Sequence, residues 1–112
     1  MELKDLFEGN IYHICTDGNS CPVLMREDSD FIIAVNYLAI CAWRTSVQVV
    51  AYCIMANHFH FLILSENRAR TAAFIAMFKR MLSMYLQKKY GLTKVMKNVG
   101  NGISLIDDLR YL

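Results

Sequence analysis

Residues 47–64 read VQVVAYCIMANHFHFLIL, and the fold follows from how this stretch divides. Val47 to Met55 is rich in β-branched and aromatic residues, which suit a pleated, half-buried strand. Ala56-Asn57 interrupts it, and His58 to Leu64 resumes the strand composition. Two strands joined so closely pair as an antiparallel hairpin. Side chains two apart on a strand share a face, so His58 and His60 project together while Phe59 and Phe61 point into the core.

Upstream, Asn10 to Thr16 reads as a first strand, with Ile11, His13 and Cys15 on one side and Tyr12, Ile14 and Thr16 on the other. Asp17-Gly18-Asn19-Ser20 is turn chemistry and Pro22 delays the next helix. Asp28 or Ser29 can cap that helix, whose apolar positions Phe31, Val35, Leu38 and Ala42 recur at helical spacing and which ends near Arg44 to Ser46. Downstream, a second helix runs from about Ala69 to Lys89, with Phe74, Phe78, Met81, Leu82 and Tyr85 as its buried stripe and Gly91 as its stop. A loop with Lys94 and Lys97, the turn Gly100-Asn101-Gly102 and a fourth strand from Ile103 to Ile106 follow, and Asp107-Asp108 reads as the start of a third helix. The order strand, helix, strand, strand, helix, strand predicts an α+β ferredoxin-like sandwich, an antiparallel sheet with two helices on one face. The other face needs a cover, for which a helix starting at Asp107 is the natural candidate.

The 112 residues, 55% hydrophobic and 20% charged, suit one globular domain with one core. The longest apolar run, Val49 to Met55, is far shorter than the ~20 residues of a membrane-spanning helix. The acidic N-terminus lacks the apolar segment of a secretory signal, so the expectation is a cytoplasmic protein. Cys15, Cys21, Cys41 and Cys53 form no C-x-x-C pair; they read as reduced, packed thiols with no function of their own. Charge is segregated. Met1 to Glu66 holds three basic residues against eight acidic ones, whereas Asn67 to Ile106 holds eight basic residues and no acidic one. That segment is either a polyanion-binding surface or one solvated helix face.

The chemistry-bearing feature is His58-Phe59-His60. Two neutral imidazoles on one side of a strand can share a divalent metal, and with only two fixed ligands the ion keeps open positions for water or a phosphate oxygen. An H-x-H pair alone is more often a solvated strand-face pair. Here it sits on an otherwise strongly apolar strand, just after a tight break, and it uses two of the chain's three histidines.

Val50 to Ile63, read as AYxxMxNHxHxL from Ala51 to Leu62, resembles the central signature of the single-tyrosine HUH transposases, the insertion-sequence and REP-associated tyrosine transposases. Tyr12-His13 resembles that family's opening YH, Asp30-Phe31 its first helix start, and Phe78 to Tyr90 its second helix. Ile106-Asp107-Asp108 with Tyr111-Leu112 resembles the entry to its last helix. The resemblance implies metal-dependent cleavage and rejoining of single-stranded or hairpin DNA, that is, DNA transposition through a 5′-phosphotyrosine. It implies Mg²⁺ or Mn²⁺ on His58 and His60, and it allows a homodimer.

The family's nucleophilic tyrosine is followed four residues later by Asn or Gln. This Y-x-x-x-N/Q pattern is absent from the 112 residues. Tyr111 lies on the corresponding element and is the candidate within the chain. The preferred alignment puts the nucleophile about two helical turns beyond Leu112, so the last catalytic helix is expected to be missing and the 112 residues alone are expected not to cleave DNA. Lys79, Arg80, Lys88 and Lys89 are the candidate phosphate contacts. Tyr85 reads as core, Tyr90 as a surface or base-stacking residue, and His13 as a hydrogen-bonded sheet histidine that approaches the metal only if the first and third strands are neighbours. Two other readings compete with the nuclease: a catalytically inactive DNA-hairpin-binding domain of the same fold, and a metal-binding or structural domain with no nucleic-acid role.

Overall fold

A computed structural model describes residues 10–16, 25–56, 58–91 and 101–106. The elements are β1 (Asn10–Thr16), α1 (Asp28–Thr45), β2 (Gln48–Ile54), β3 (Phe59–Ser65), α2 (Arg68–Tyr90) and β4 (Asn101–Ile106). The four strands form one sheet in the order β2-β3-β1-β4, each neighbouring pair antiparallel. This is the ferredoxin-like α+β arrangement that the element order predicts. The third helix expected from Asp107 lies outside the described residues.

Sheet alternation builds the core. Tyr12 and Ile14 of β1 and Phe59, Phe61 and Ile63 of β3 are fully buried against the helices. Phe78 meets Phe59 and Phe61 edge-on at centroid distances of 4.9 and 5.2 Å, and Phe74 meets Phe61 at 5.4 Å. Such offset aromatic contacts add to the area they bury. In α2 the buried stripe also takes in Ile75, Leu82 and Leu86, while Met81 and Tyr85 pack at its margin. In α1 the inward residues are Asp30, Ala34, Leu38 and Cys41, so the face is turned one position from the expected stripe; Phe31 and Ala42 are half-buried at its edge.

Helix ends follow local chemistry. The Asn67 side chain accepts from the Arg70 N–H at 3.0 Å and caps α2. At its other end Gly91 takes the left-handed conformation, φ 68°. α1 closes in a Schellman arrangement on Ser46, with Val47 N–H donating to the Ala42 carbonyl and Ser46 N–H to that of Trp43. Glu27, not Asp28 or Ser29, is the N-cap residue. The expected turn at Gly100-Asn101-Gly102 is displaced, because Asn101 and Gly102 already pair with Thr16 and Cys15 in β4.

The least expected core member is Asp30. Its carboxylate is fully buried and ties the start of α1 to the end of α2. It accepts from the backbone N–H of Arg26 (2.9 Å) and of Glu27 (3.2 Å), from the Tyr85 hydroxyl (2.8 Å), from Lys89 Nζ (2.6 Å) and from the Tyr90 hydroxyl. Arg26 stacks over the Tyr90 ring at 4.4 Å. Burial by itself raises the Asp30 carboxyl, but the hydrogen bonds from Lys89, Tyr90, Arg26 and Tyr85 outweigh it and hold the group far below the usual carboxylate range. Tyr90 is therefore a clamp for this carboxylate and not a surface residue.

Asp30→Ala removes the buried acceptor shared by two phenols, an ammonium and two backbone N–H groups and is expected to destabilise the fold by on the order of 3 kcal/mol in urea denaturation. Because the folded carboxyl titrates below its unfolded value, its contribution is complete above about pH 5 and is lost as pH falls below about 4 toward the folded value. Asp30→Asn should flatten that acid limb of the stability profile.

Candidate metal centre

The histidine motif enters the fold at the β2–β3 turn. Met55 N–H donates to the His58 carbonyl at 2.8 Å, closing the hairpin, and Met25 N–H donates to the Ala56 carbonyl at 2.9 Å, tying the turn to the segment before α1. β3 then alternates as its sequence predicts. Phe59 and Phe61 are buried beneath the helices, and their rings sit 4.7 Å apart. His58 and His60 leave the opposite side, with ring centroids 4.9 Å apart. Among the described residues no helix lies over that side of the sheet.

Registration across the sheet brings further donors to His60. β1 lies next to β3, and Cys15 is directly opposite His60, with His13 opposite Leu62. His13 Nε2 and His60 Nδ1 are 2.9 Å apart, a hydrogen bond in which one ring donates, and the two rings are nearly parallel. His13 is thus the hydrogen-bonded sheet histidine that was expected, and the adjacency of β1 and β3 also puts it at the motif. On the other flank, β2 carries an irregularity between Val49 and Ala51. The extra residue, Val50, resets the alternation, so Ala51 and Cys53 pair with Leu62 and His60. His13, Ala51, Tyr52, Cys53, His60 and Leu62 line a shallow concavity of about 230 Å³.

The donor atoms of His13, Cys15 and His60 all lie within 4.8 Å of one another, the one such cluster among the described residues. Burial lowers the His60 pKa below the ordinary histidine value, and repulsion from His13 and His58 adds to it. A neutral imidazole is the form that binds a metal. Cys15 escaped the sequence reading. The signal was its place two residues from His13 on one face of β1, but only the strand register shows that His60 lies opposite. Cys41 is a packed, buried thiol as expected, whereas Cys53 is exposed. Cys21 lies outside the described residues.

The basic candidates stand elsewhere. Lys79, Arg80, Lys88 and Lys89 belong to α2, which covers the face opposite the histidines. Arg80 and Lys88 are exposed and Lys79 is half-buried. Lys89 is held by Glu27 at 2.9 Å and Asp30 at 2.6 Å, so its ammonium serves the fold. Tyr111, Lys94 and Lys97 lie outside the described residues.

Fold and histidine placement define an α+β sandwich that displays imidazoles on the side of its sheet away from α1 and α2. The model of the family described as "Transposase IS200 like" matches residues 11–101, and the chain belongs to that family. Among solved structures, a candidate transposase from Deinococcus radiodurans R1 superimposes with a TM-score of 0.67 at 12% identity, covering 96% of this chain and 86% of that one. A REP-associated tyrosine transposase, solved bound to a REP hairpin, gives a TM-score of 0.55 at 12% identity over 94% of this chain and 61% of its own length. Among curated proteins no significant match is found. No helix among the described residues is long and apolar enough to cross a membrane.

The two faces of β3 are expected to respond differently to truncation. Phe61→Ala should cost about 3–5 kcal/mol, the range for a buried aromatic, whereas His60→Ala should cost roughly 1 kcal/mol, the net worth of one hydrogen bond. Urea denaturation of the two variants checks this.

Proposed function

We propose that the chain supplies the metal-binding and DNA-binding framework of a transposase that cuts and rejoins single-stranded DNA, with hairpin DNA as its partner. The observation that supports this reading is the alternation of β3. His58 and His60 leave one side of a strand that is anchored from the other side by Phe59 and Phe61, on the face away from α1 and α2, where a bound phosphodiester would meet them. The donor set fits a divalent cation: the His60 imidazole is biased toward its neutral form, and a second ring lies beside it. His58 and His60 would hold Mg²⁺ or Mn²⁺. When bound, such an ion supplies charge stabilisation to the scissile phosphate.

The remaining chemistry belongs to protein groups. The tyrosine hydroxyl gives up its proton as its oxygen bonds to phosphorus, the phosphorus–O3′ bond breaks, and the departing 3′-oxygen takes up a proton, so charge and protons balance. The phosphodiester energy is kept in the 5′-phosphotyrosine, and rejoining reverses the exchange. Free phenol, with a pKa of about 10, is a weak nucleophile at neutral pH, so the reaction depends on charge stabilisation at the phosphate. The preferred alignment puts this tyrosine beyond Leu112, and Tyr111 is the lesser candidate, the one within this chain. His60 is steadied by His13 through their 2.9 Å hydrogen bond, which limits rotation of its ring.

A second reading has its own observation in favour. Arg80 and Lys88 are exposed on the helix that covers the face opposite the histidines, so a domain that binds hairpins without cleaving them needs only that side. In a gel-shift series with a hairpin carrying a single-stranded flank, affinity should fall with salt. Arg80→Ala with Lys88→Ala should reduce the log–log salt slope by roughly 1–2. Electron paramagnetic resonance of Mn²⁺ should show ion uptake by the wild type and its loss in His58→Ala and His60→Ala. Uptake undiminished in both variants would sink the metal assignment, and salt-dependent hairpin binding without Mn²⁺ uptake would favour the non-catalytic domain.

A further inference from the structure

The family resemblance draws attention to His58 and His60, but among the described residues the gathering of three donors is a different set. His13, Cys15 and His60 combine two imidazole nitrogens with a thiol sulfur, all within 4.8 Å of one another. The sheet register puts them there: Cys15 faces His60 across the β1–β3 ladder and His13 sits one step further along the same face of β1. All three are half-buried, on the two central strands of the sheet. Main-chain pairing on both sides of β1 and of β3 therefore fixes the positions from which these side chains reach.

We infer that His13, Cys15 and His60 form a zinc site on the face of the sheet away from α1 and α2, with the fourth position left to water or an anion. The chemistry selects the ion. A thiolate is a soft donor that suits Zn²⁺ and disfavours Mg²⁺ or Mn²⁺, whereas imidazole accepts Zn²⁺ equally well. The spacing fits too. With Zn–N near 2.0–2.1 Å and Zn–S near 2.3 Å, tetrahedral angles place two nitrogens about 3.3 Å apart and nitrogen and sulfur about 3.6 Å apart. The present 2.9 Å between His13 Nε2 and His60 Nδ1 needs to open by only a few tenths of an ångström. Both rings then turn their lone pairs from each other toward a shared ion. Binding displaces the hydrogen-bond proton between the rings onto an outer nitrogen and releases the Cys15 thiol proton to solvent.

Cys53 stays out of the coordination sphere. It also pairs with His60, but from the β2 side, which puts it two strand spacings, about 9–10 Å, from Cys15. A zinc ion bound to Cys15 cannot reach it. His58 is likewise outside the three-donor set. The site therefore differs from the His58–His60 pair proposed above and shares only His60 with it, and it stands whether or not the protein cleaves DNA.

Cobalt titration of the purified, reduced protein tests the assignment, because Co²⁺ occupies zinc sites and reports its ligands spectroscopically. One equivalent should produce a thiolate-to-cobalt charge-transfer band and the intense visible bands of a tetrahedral ion, and Zn²⁺ should abolish both by displacement. Cys15→Ser should remove the charge-transfer band, His13→Gln should weaken binding at least tenfold, and Cys53→Ser and His58→Ala should leave the spectrum unchanged. Circular dichroism of each variant shows whether it is folded; if Cys15→Ser is not, the His13→Gln and Cys53→Ser titrations decide. A weak, octahedral cobalt spectrum without a thiolate band overturns the inference. So does a band that survives Cys15→Ser or disappears with Cys53→Ser. Loss of Mn²⁺ uptake in His58→Ala with the cobalt spectrum intact separates this site from the one proposed for cleavage.

Discussion

On β3 every second side chain is committed to the core, and this alternation governs the rest of the molecule. Phe59, Phe61 and Ile63 are fully buried, and Phe59 and Phe61 form a ring cluster with Phe74 and Phe78 of α2. A slip of one residue would bring the histidines under the helices and expose the aromatics, so the register is strongly specified. The histidines inherit that precision. His60 needs no elaborate scaffold, because its backbone is locked on one side by β1 and on the other by β2. Side chains held by rigid elements keep their geometry better than those on loops, which is what a ligand site requires.

The helices need a separate device to hold them to each other, and Asp30 provides it. A buried carboxylate is costly unless its hydrogen bonds are satisfied, and here two backbone N–H groups, two phenols and an ammonium converge on it. The carboxylate at the first turn of α1 complements the positive end of that helix, while Lys89 stands in the last turn of α2, where a cation is favoured. One interaction thus satisfies both helix ends and joins them. Tyr85 and Tyr90 both serve this clamp.

Much of this was legible in the residues. The alternating aromatic and histidine pattern, the break at Ala56-Asn57 and the helix stop at Gly91 are local signals, and the structure follows them closely. Cross-strand partners are not local. Nothing in Ile11-Tyr12-His13-Ile14-Cys15 states which strand will lie beside it, so the approach of Cys15 to His60 emerges only from the β1–β3 register. The inward turn of Asp30 was hidden for a related reason. An acidic residue in the first turn of a helix normally faces water, and its burial becomes favourable only when the far end of α2, more than fifty residues away, brings Tyr85, Lys89 and Tyr90 to it. The bulge at Val50 left no signature in a run of residues that all favour strands.

The basic residues of α2 and the histidines stand on opposite sides of the sheet. The basic residues of α2 and the histidines are separated by the thickness of a helix and a sheet, each about 10 Å. Charges so far apart across exposed surfaces are largely screened at physiological salt, where the Debye length is about 8 Å. The cationic helix therefore cannot be what tunes His60, and the depressed pKa of that ring traces instead to its burial and its histidine neighbours. Lys89 is further removed from any external role by its pairing with Asp30. The cationic surface of α2 is thus electrostatically separate from the imidazoles, whose local environment is set by the sheet. A polyanion bound to α2 would influence the histidine face only by bending around the edge of the domain, and not through the electrostatic field of the helix.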